Sequence, residues 1–320
     1  MNWITAPAFL LVAIQSAMST TVIAHRGASG FLPEHTLEAK AYAHALGADF
    51  IEQDVVLTKD DQAIVLHDIH LDATTNVAEV FPGRSRPDGR FYAIDFTLEE
   101  IRRLQVRERI DPGTGRVVYP GRFRKALPGF RVPTLEEEIT FIQELNRTTG
   151  REAGIYPELK APAFHQKEGK DIVAVVHQIL SQHGYTRRTD GCIVQCFEVA
   201  PLVRLRNEFK SDLRLVQLIG EPAWKLNPED YEKMITPAGL DEIAKYADGI
   251  GPALSLVLER TSDGPVASPL AKNAHARGLI IHPYTLRRDA LPDGWTERDV
   301  WEFLDAAKID GIFTDFPVRR

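Results

Sequence analysis

Cysteine, excess positive charge and long apolar runs are all scarce in this 320-residue chain, and each shortage removes a class of protein. The two cysteines, Cys192 and Cys196, sit four residues apart in the apolar run CIVQCF. Along a strand that spacing covers ~13 Å, beyond the reach of a disulfide, so both read as small buried hydrophobes. Lys and Arg number 38 against 45 Asp and Glu, a formal net charge of −7. That balance argues against a general nucleic-acid or anionic-membrane binder. The early apolar run Ala8 to Ile14 (AFLLVAI) is too short for a membrane span. A dinucleotide fingerprint is missing too, because HRGASG lacks the G-x-G-x-x-G spacing. No His or Cys stands beside the candidate ligand acids at a zinc-like spacing, which disfavours zinc.

What is present begins with an uncharged leader. No charged side chain precedes Arg26, and Ala17-Met18-Ser19 offers small residues where a signal peptidase reads. Residues 1–19 therefore read as a signal peptide without a basic start, which places the protein in the periplasm or outside the cell. A packed N-terminal segment of a cytoplasmic protein is the alternative.

The richest stretch runs from Val22 to Asp68. Val22 to Ala24 reads as a buried strand ending in His25-Arg26, a helical pattern follows Pro33 to Gly47, and Phe50 to Leu57 returns to strand. Glu52 and Asp54 stand at i and i+2 in that second strand, so both carboxylates point to one side, ~7 Å apart. Phe50, Ile51, Val55, Val56 and Leu57 make the strand apolar on both faces. Buried unpaired carboxylates are costly, so a basic side chain or a divalent cation is expected between them.

After His67-Asp68 the chain changes character. From about 69 to 131 it is rich in Pro, Gly, Arg and Thr and reads as an insertion, a small subdomain on a single catalytic domain spanning 20–320. Residues 81–131 of it carry 12 Lys/Arg against 6 Asp/Glu, either a solvated surface or a rim that draws in anions. Regular alternation resumes with Thr134, whose hydroxyl and Glu137 form an expected capping box. Strands opening at Val22, Phe50, Ile155, Cys192, Leu213, Gly249, Leu279 and Gly311, with helices between, predict an α/β fold: a closed parallel (β/α)8 TIM barrel with an insertion after the second strand unit.

A barrel gathers its strand ends at one rim, and here those ends carry His25-Arg26, Glu52-Asp54, Glu158-Lys160, Gln195, Gly251, His282-Tyr284 and Asp315. Glu52, Asp54 and Glu158 offer hard oxygen ligands for Ca²⁺ or Mg²⁺. His25 and His67 suit general acid–base work near neutral pH. Arg26 and Lys160 add positive charge for an anionic oxygen, and the whole set suggests phosphoryl transfer. His282 reads as substrate-facing, His35 as a turn or cap residue, and the remaining histidines as helix or loop positions.

The motifs HRGASG, PEHT, EQD, LHD, YPELK, QCF, HPYT and FTDFP, from about Val22 to Pro317, resemble the glycerophosphodiester phosphodiesterase family, in particular its bacterial periplasmic branch. The resemblance implies hydrolysis of glycerophosphodiesters, such as glycerophosphocholine and glycerophosphoethanolamine, to sn-glycerol 3-phosphate and an alcohol. It also implies a bound divalent metal, Ca²⁺ or alternatively Mg²⁺. Residue by residue it makes His25 and His67 the acid–base pair, Glu52, Asp54 and Glu158 the metal ligands, and Arg26 and Lys160 phosphate contacts. Gln195 and Tyr284, on the same rim, complete the expected substrate contacts. His35 stands where much of the wider family has Asn. The nucleophile is either the glycerol 2-hydroxyl, through a cyclic phosphate, or water. Alternatives from other classes are a phospholipase C or D acting on intact lipid and a non-catalytic surface binder of the same fold. The expected partner is the small diester itself, with no nucleic acid and no stable membrane insertion; a homodimer is compatible with this reading.

Overall fold

The computed structural model describes residues 20–123, 127–224, 228–261 and 264–318. The expected signal peptide, 1–19, lies outside the described residues. Eleven strands occur among them: β1 Thr21–Ala24, β2 Phe50–Leu57, β3 Ala63–Val65, β4 Gly154–Leu159, β5 Ile193–Cys196, β6 Arg214–Ile219, β7 Gly249–Pro252, β8 Leu258–Thr261, β9 Gly264–Ala267, β10 Ile280–Ile281 and β11 Gly311–Thr314. Eight of these pair in the order β10-β7-β6-β5-β4-β2-β1-β11, every pairing parallel. The ring closes just beyond β10, where Phe313 N–H donates to Pro283 O (3.0 Å) and Leu286 N–H donates to Phe313 O (2.8 Å). The architecture is the predicted (β/α)8 barrel, and its eight strands lie where the apolar runs placed them.

Alternation along the strands decides what fills the barrel and what crowns it. Ile23, Tyr156, Ile193, Val216 and Phe313 form an interior cluster, with Phe50, Ile280 and Tyr284 packed against it. Two residues further along each strand the side chain points to the same face. Those positions are His25 after Ile23, Glu52 after Phe50, Glu158 after Tyr156, Gln195 after Ile193 and Asp315 after Phe313. The hydrophobic plug, each large apolar side chain contributing ~1.5–3 kcal/mol, is thus the floor of the site. The outer faces of the strands pack against the helices in a second, larger cluster that includes both cysteines, free and buried.

Between β3 and the helix Leu135–Thr149 the chain makes a long excursion with a core of its own, in which Leu71, Val77, Phe81, Phe96, Ile101, Leu104 and Phe130 pack against Val56 and Ile64. Its short helix Leu98–Ile101 is held by a capping box between Thr97 and Glu100. The next helix opens with the predicted box, Thr134 and Glu137 each satisfying the other's backbone N–H. Some elements had no sequence signal. β8 and β9 form an antiparallel hairpin after β7, and a short helix, Pro162–Lys167, follows β4 directly. Between β6 and β7 stands another short helix, Tyr231–Met234.

Candidate active site

All nine predicted site residues, His25, Arg26, Glu52, Asp54, His67, Glu158, Lys160, Gln195 and Tyr284, line one cavity of about 580 Å³ at the C-terminal end of the barrel. The two histidines are set up alike. His25 Nδ1 donates to Asp315 Oδ1 (2.6 Å) and His67 Nδ1 donates to Asp68 Oδ1 (2.6 Å). Each aspartate thereby fixes the tautomer, with the hydrogen on Nδ1 and the lone pair on Nε2. Burial, followed by the positive charge of Arg26, lowers both histidines to about 4. Both rings are therefore neutral at pH 7 and able to accept a proton at Nε2. Burial alone would push Asp315 and Asp68 up. Their histidine and arginine partners instead hold both well below the usual carboxylate range.

The HRG sequence has a backbone reason. Arg26 and Gly27 both take positive φ, 56° and 81°. A side chain on Gly27 would meet the backbone of Ala39 at 2.9 Å, so only glycine fits the turn. The turn aims Arg26 N–H at Glu52 Oε2 (2.5 Å) and lets its guanidinium grip Glu34 (3.0 and 3.1 Å).

The register puts Asp54 opposite Glu158, and Glu158 opposite Gln195, so these three stand in one row across adjacent strands. Lys160 Nζ lies 2.7 Å from Glu158 Oε1 and 3.5 Å from Asp54 Oδ1. Burial, and then the neighbouring Asp54, raises Glu52 well above the usual range. Burial likewise raises Glu158 to about 8 against the opposing pull of Lys160. Asp54 is the member that stays ionised, held down against burial by Lys160, His67 and His35. Its Oδ1 is buried and accepts no hydrogen bond among the described residues. Crowded, hard, oxygen-only donors with an unsatisfied buried oxygen are the chemistry a divalent cation requires, so the residues fit one.

The closest grouping of ligand atoms differs from the expected one. Glu52 and Asp54 come within 4.8 Å of each other and of His35, whereas Glu158 is engaged by Lys160. His35 is no simple turn residue. Its Nε2 donates to Asp54 Oδ2 (2.8 Å), while its Nδ1 accepts from Lys40 Nζ (3.1 Å). With Nδ1 occupied by an ammonium donor, Nε2 carries the hydrogen, and the ring orients Asp54 rather than offering a lone pair to a cation. Lys40 also donates to Glu52 O and pairs with Glu138 Oε2 (3.2 Å), all of it fully buried. Sequence reasoning missed His35, Lys40, Glu138 and Glu34. The burial pattern of the helix Leu37–Leu46 holds the one available signal, since Lys40 falls on the same face as Ala39, Ala43 and His44.

Part of the cavity wall is aromatic, with Phe197 and Trp224 each packed against Tyr284. Tyr284 shapes this wall but its hydroxyl is engaged, donating to Ile219 O (3.1 Å). Gln195 is better placed for a polar contact, for its Oε1 is buried and has no hydrogen-bond partner among the described residues. His282 faces inward and binds Tyr156 Oη (3.1 Å), so it belongs to the barrel floor and not to the substrate wall.

Residues 25–319 match the profile of the Glycerophosphoryl diester phosphodiesterase family. A Glycerophosphodiester phosphodiesterase of Haemophilus influenzae is 44% identical over 92% of this chain and 87% of its own length. One of Treponema pallidum is 38% identical over 94% of this chain and 90% of its own. A crystal structure from Silicibacter pomeroyi, 26% identical, superimposes with a TM-score of 0.69 over 93% of this chain and 90% of that one.

Proposed function

The chain is an enzyme of the glycerophosphoryl diester phosphodiesterase family, and from that premise we propose that it hydrolyses soluble glycerophosphodiesters to sn-glycerol 3-phosphate and a free alcohol by acid–base catalysis at His25 and His67. The observation that carries this reading is the pair of histidine–aspartate dyads opening onto one cavity together with Arg26, Lys160 and three carboxylates. Arg26 and Lys160 hold the phosphodiester anion. One histidine, neutral with its lone pair on Nε2, takes the proton of the nucleophile, water or the glycerol 2-hydroxyl, and the other hands a proton to the departing alcohol; on the 2-hydroxyl route water then opens the cyclic phosphate to sn-glycerol 3-phosphate. The anionic diester offsets the nearby cations that hold the histidines down, which lets the second ring carry its proton. Glu52, Glu158 and Asp54, the last oriented by His35, would hold Ca²⁺ or Mg²⁺, which supplies Lewis-acid polarisation of a phosphoryl oxygen when bound. Gln195 contacts the polar part of the substrate, and Phe197, Trp224 and Tyr284 form the wall for its apolar part. The uncharged leader with its Ala17-Met18-Ser19 site supports export to the periplasm or secretion, as in the periplasmic branch.

The test is turnover of glycerophosphocholine, with sn-glycerol 3-phosphate measured by a coupled dehydrogenase. His25→Ala and His67→Ala should each lower kcat by ~10²-fold or more, and the double variant should fall far short of the product of the two losses. The wild-type kcat, which reports the histidines with the diester bound, should be bell-shaped in pH, with one limb lost in each single variant. Near-normal turnover by either folded variant would remove that histidine from the mechanism.

A further inference from the structure

We propose that Arg109 and Arg122, both from the excursion between β3 and β4, are positioning residues that hold the two histidines in register for catalysis, each through the aspartate it shares with one of them. The proposal rests on the roles given above to His25 and His67. The geometry repeats itself at the two sites. Asp68 gives Oδ1 to His67 Nδ1 (2.6 Å) and Oδ2 to Arg109 Nη1 (2.6 Å). Asp315 gives Oδ1 to His25 Nδ1 (2.6 Å) and Oδ2 to Arg122 Nη2 (2.7 Å). In each case one carboxylate oxygen serves a histidine and the other serves an arginine that lies far from it in sequence.

Each arginine is itself fixed by a second carboxylate, Arg109 through its two remaining nitrogens and Arg122 through Nε and the same Nη2 that serves Asp315. Arg109 makes a two-point contact with Glu34 through Nε (3.0 Å) and Nη2 (2.6 Å). Arg122 makes another with Asp289 through Nε (2.8 Å) and Nη2 (3.0 Å), and its guanidinium stacks 3.7 Å above the Tyr119 ring. A planar guanidinium clamped in this way cannot rotate freely, so the carboxylate it holds cannot either. A carboxylate locked in plane keeps its histidine in the Nδ1–H tautomer, with Nε2 turned to the cavity. The excursion thus does more than cover the rim: it supplies the outermost link of both relays.

The plain alternative is that these arginines only fasten the excursion to the barrel. Arg86 is such a fastener, pairing with Asp95 and Glu168 at the exposed edge and touching no residue of the relays. It is the control. The two sites also differ in a way that a fastening role does not explain. Asp315 is held in addition by Arg287 Nε (3.0 Å), whereas Arg109 is the single arginine on Asp68 among the described residues. Through Glu34, moreover, Arg109 reaches Arg26, the proposed phosphate contact.

The experiment compares Arg109→Met, Arg122→Met and Arg86→Met, with glycerophosphocholine as substrate and ¹⁵N-histidine NMR as a readout that does not depend on turnover. Arg122→Met should lower kcat about tenfold with KM within about twofold of wild type. Arg109→Met should lower kcat further and raise KM, because Arg26 loses its support. Arg86→Met should leave both constants within about twofold. In the spectra, His67 should lose its single Nδ1–H tautomer in the Arg109 variant. His25 should show the smaller change in the Arg122 variant. Arg109→Lys and Arg122→Lys, which keep the charge at one point of contact, should recover part of kcat and carry the test where a methionine variant is unstable. Kinetics matching Arg86→Met, with unchanged tautomers, would overturn the proposal. Absence of turnover by the wild type would sink the functional reading instead, and the tautomer measurement would still decide this one.

Discussion

At the scale of single residues, the most exposed liability of this molecule is the pair Lys40 and Glu138, both 0% exposed and 3.2 Å apart. Burial pushes Glu138 up to about 7 against the pull of Lys40. Removing one partner leaves the other without compensation in a low-dielectric interior, which is far costlier than never having had the pair. Lys40→Met or Glu138→Gln alone should therefore lower stability by ~3–5 kcal/mol in urea unfolding. The double variant Lys40→Met/Glu138→Leu should lie closer to wild type than either single variant. Stability regained in this way should not restore the site, because His35 Nδ1 would have lost its ammonium donor and Asp54 its fixed orientation; weakened Ca²⁺ binding in calorimetry is the expected sign. A double variant no more stable than the singles would mean that the ammonium, through its bonds to His35 and Glu52 O, matters more than charge balance. The site was only half legible at this scale. Histidines and acids at strand ends announce themselves because alternation leaves no apolar reason for them. A lysine on a helix is by default a solvated side chain, and His35 following Glu34 passes for a turn; only the packing distinguishes them.

At the scale of elements, the helix Leu135–Thr149 is the best case of legibility, since its start was written in four residues, TLEE. Thr134 accepts from Glu137 N–H at 3.1 Å, and Glu137 accepts from Thr134 N–H at 2.8 Å. Thr134→Ala should cost ~1 kcal/mol, read as a lowered unfolding midpoint, with kcat and KM unchanged. A fall in kcat at full folding would mean that this helix start also steadies Glu138 beneath the site. The barrel strands were equally plain, because strands buried on both faces are continuous apolar runs. The β8–β9 hairpin was not. Its sequence, LERTSDGPVA, has few apolar residues in alternation, so no period marks it as a strand pair. The helix Pro162–Lys167 escaped for a similar reason, being too short to show a period.

At the scale of the whole molecule, charge counts mislead unless the partners are known. The excursion is formally basic, yet Arg84 pairs with Glu100, Arg86 with Asp95 and Glu168, Arg90 with Asp72 and Arg102 with Glu137. These pairs cancel most of a steering field at close range, and the effect of the excursion on the site passes instead through the two arginines that reach inward. The carboxylates at the rim are the opposite case, three acids crowded together with Lys160, 2.7 Å from Glu158 and 3.5 Å from Asp54, and Arg26 as their counter-charges in the cavity. Glu52 and Glu158 are both raised by burial, so near neutrality they retain protons in the cation-free fold that they would lose in the unfolded chain. The native state then binds more protons than the unfolded state from about pH 4.5 up to about 8, and the contribution of these groups to stability falls as pH rises through that window. A cation that binds the folded state displaces those protons and reverses the penalty. Two outcomes are expected. Calorimetric titration of chelated protein with Ca²⁺ at pH 7 should release protons, seen as a heat that depends on the ionisation enthalpy of the buffer. The rise in Tm on adding Ca²⁺ at a hundred times its Kd should correspond to ~2.7 kcal/mol, and the rise at a fixed Ca²⁺ concentration should be larger at pH 8 than at pH 5.5. A buffer-independent heat, with the same Tm rise at both pH values, would mean that the three carboxylates are ionised without a cation and that Arg26 and Lys160 alone balance them.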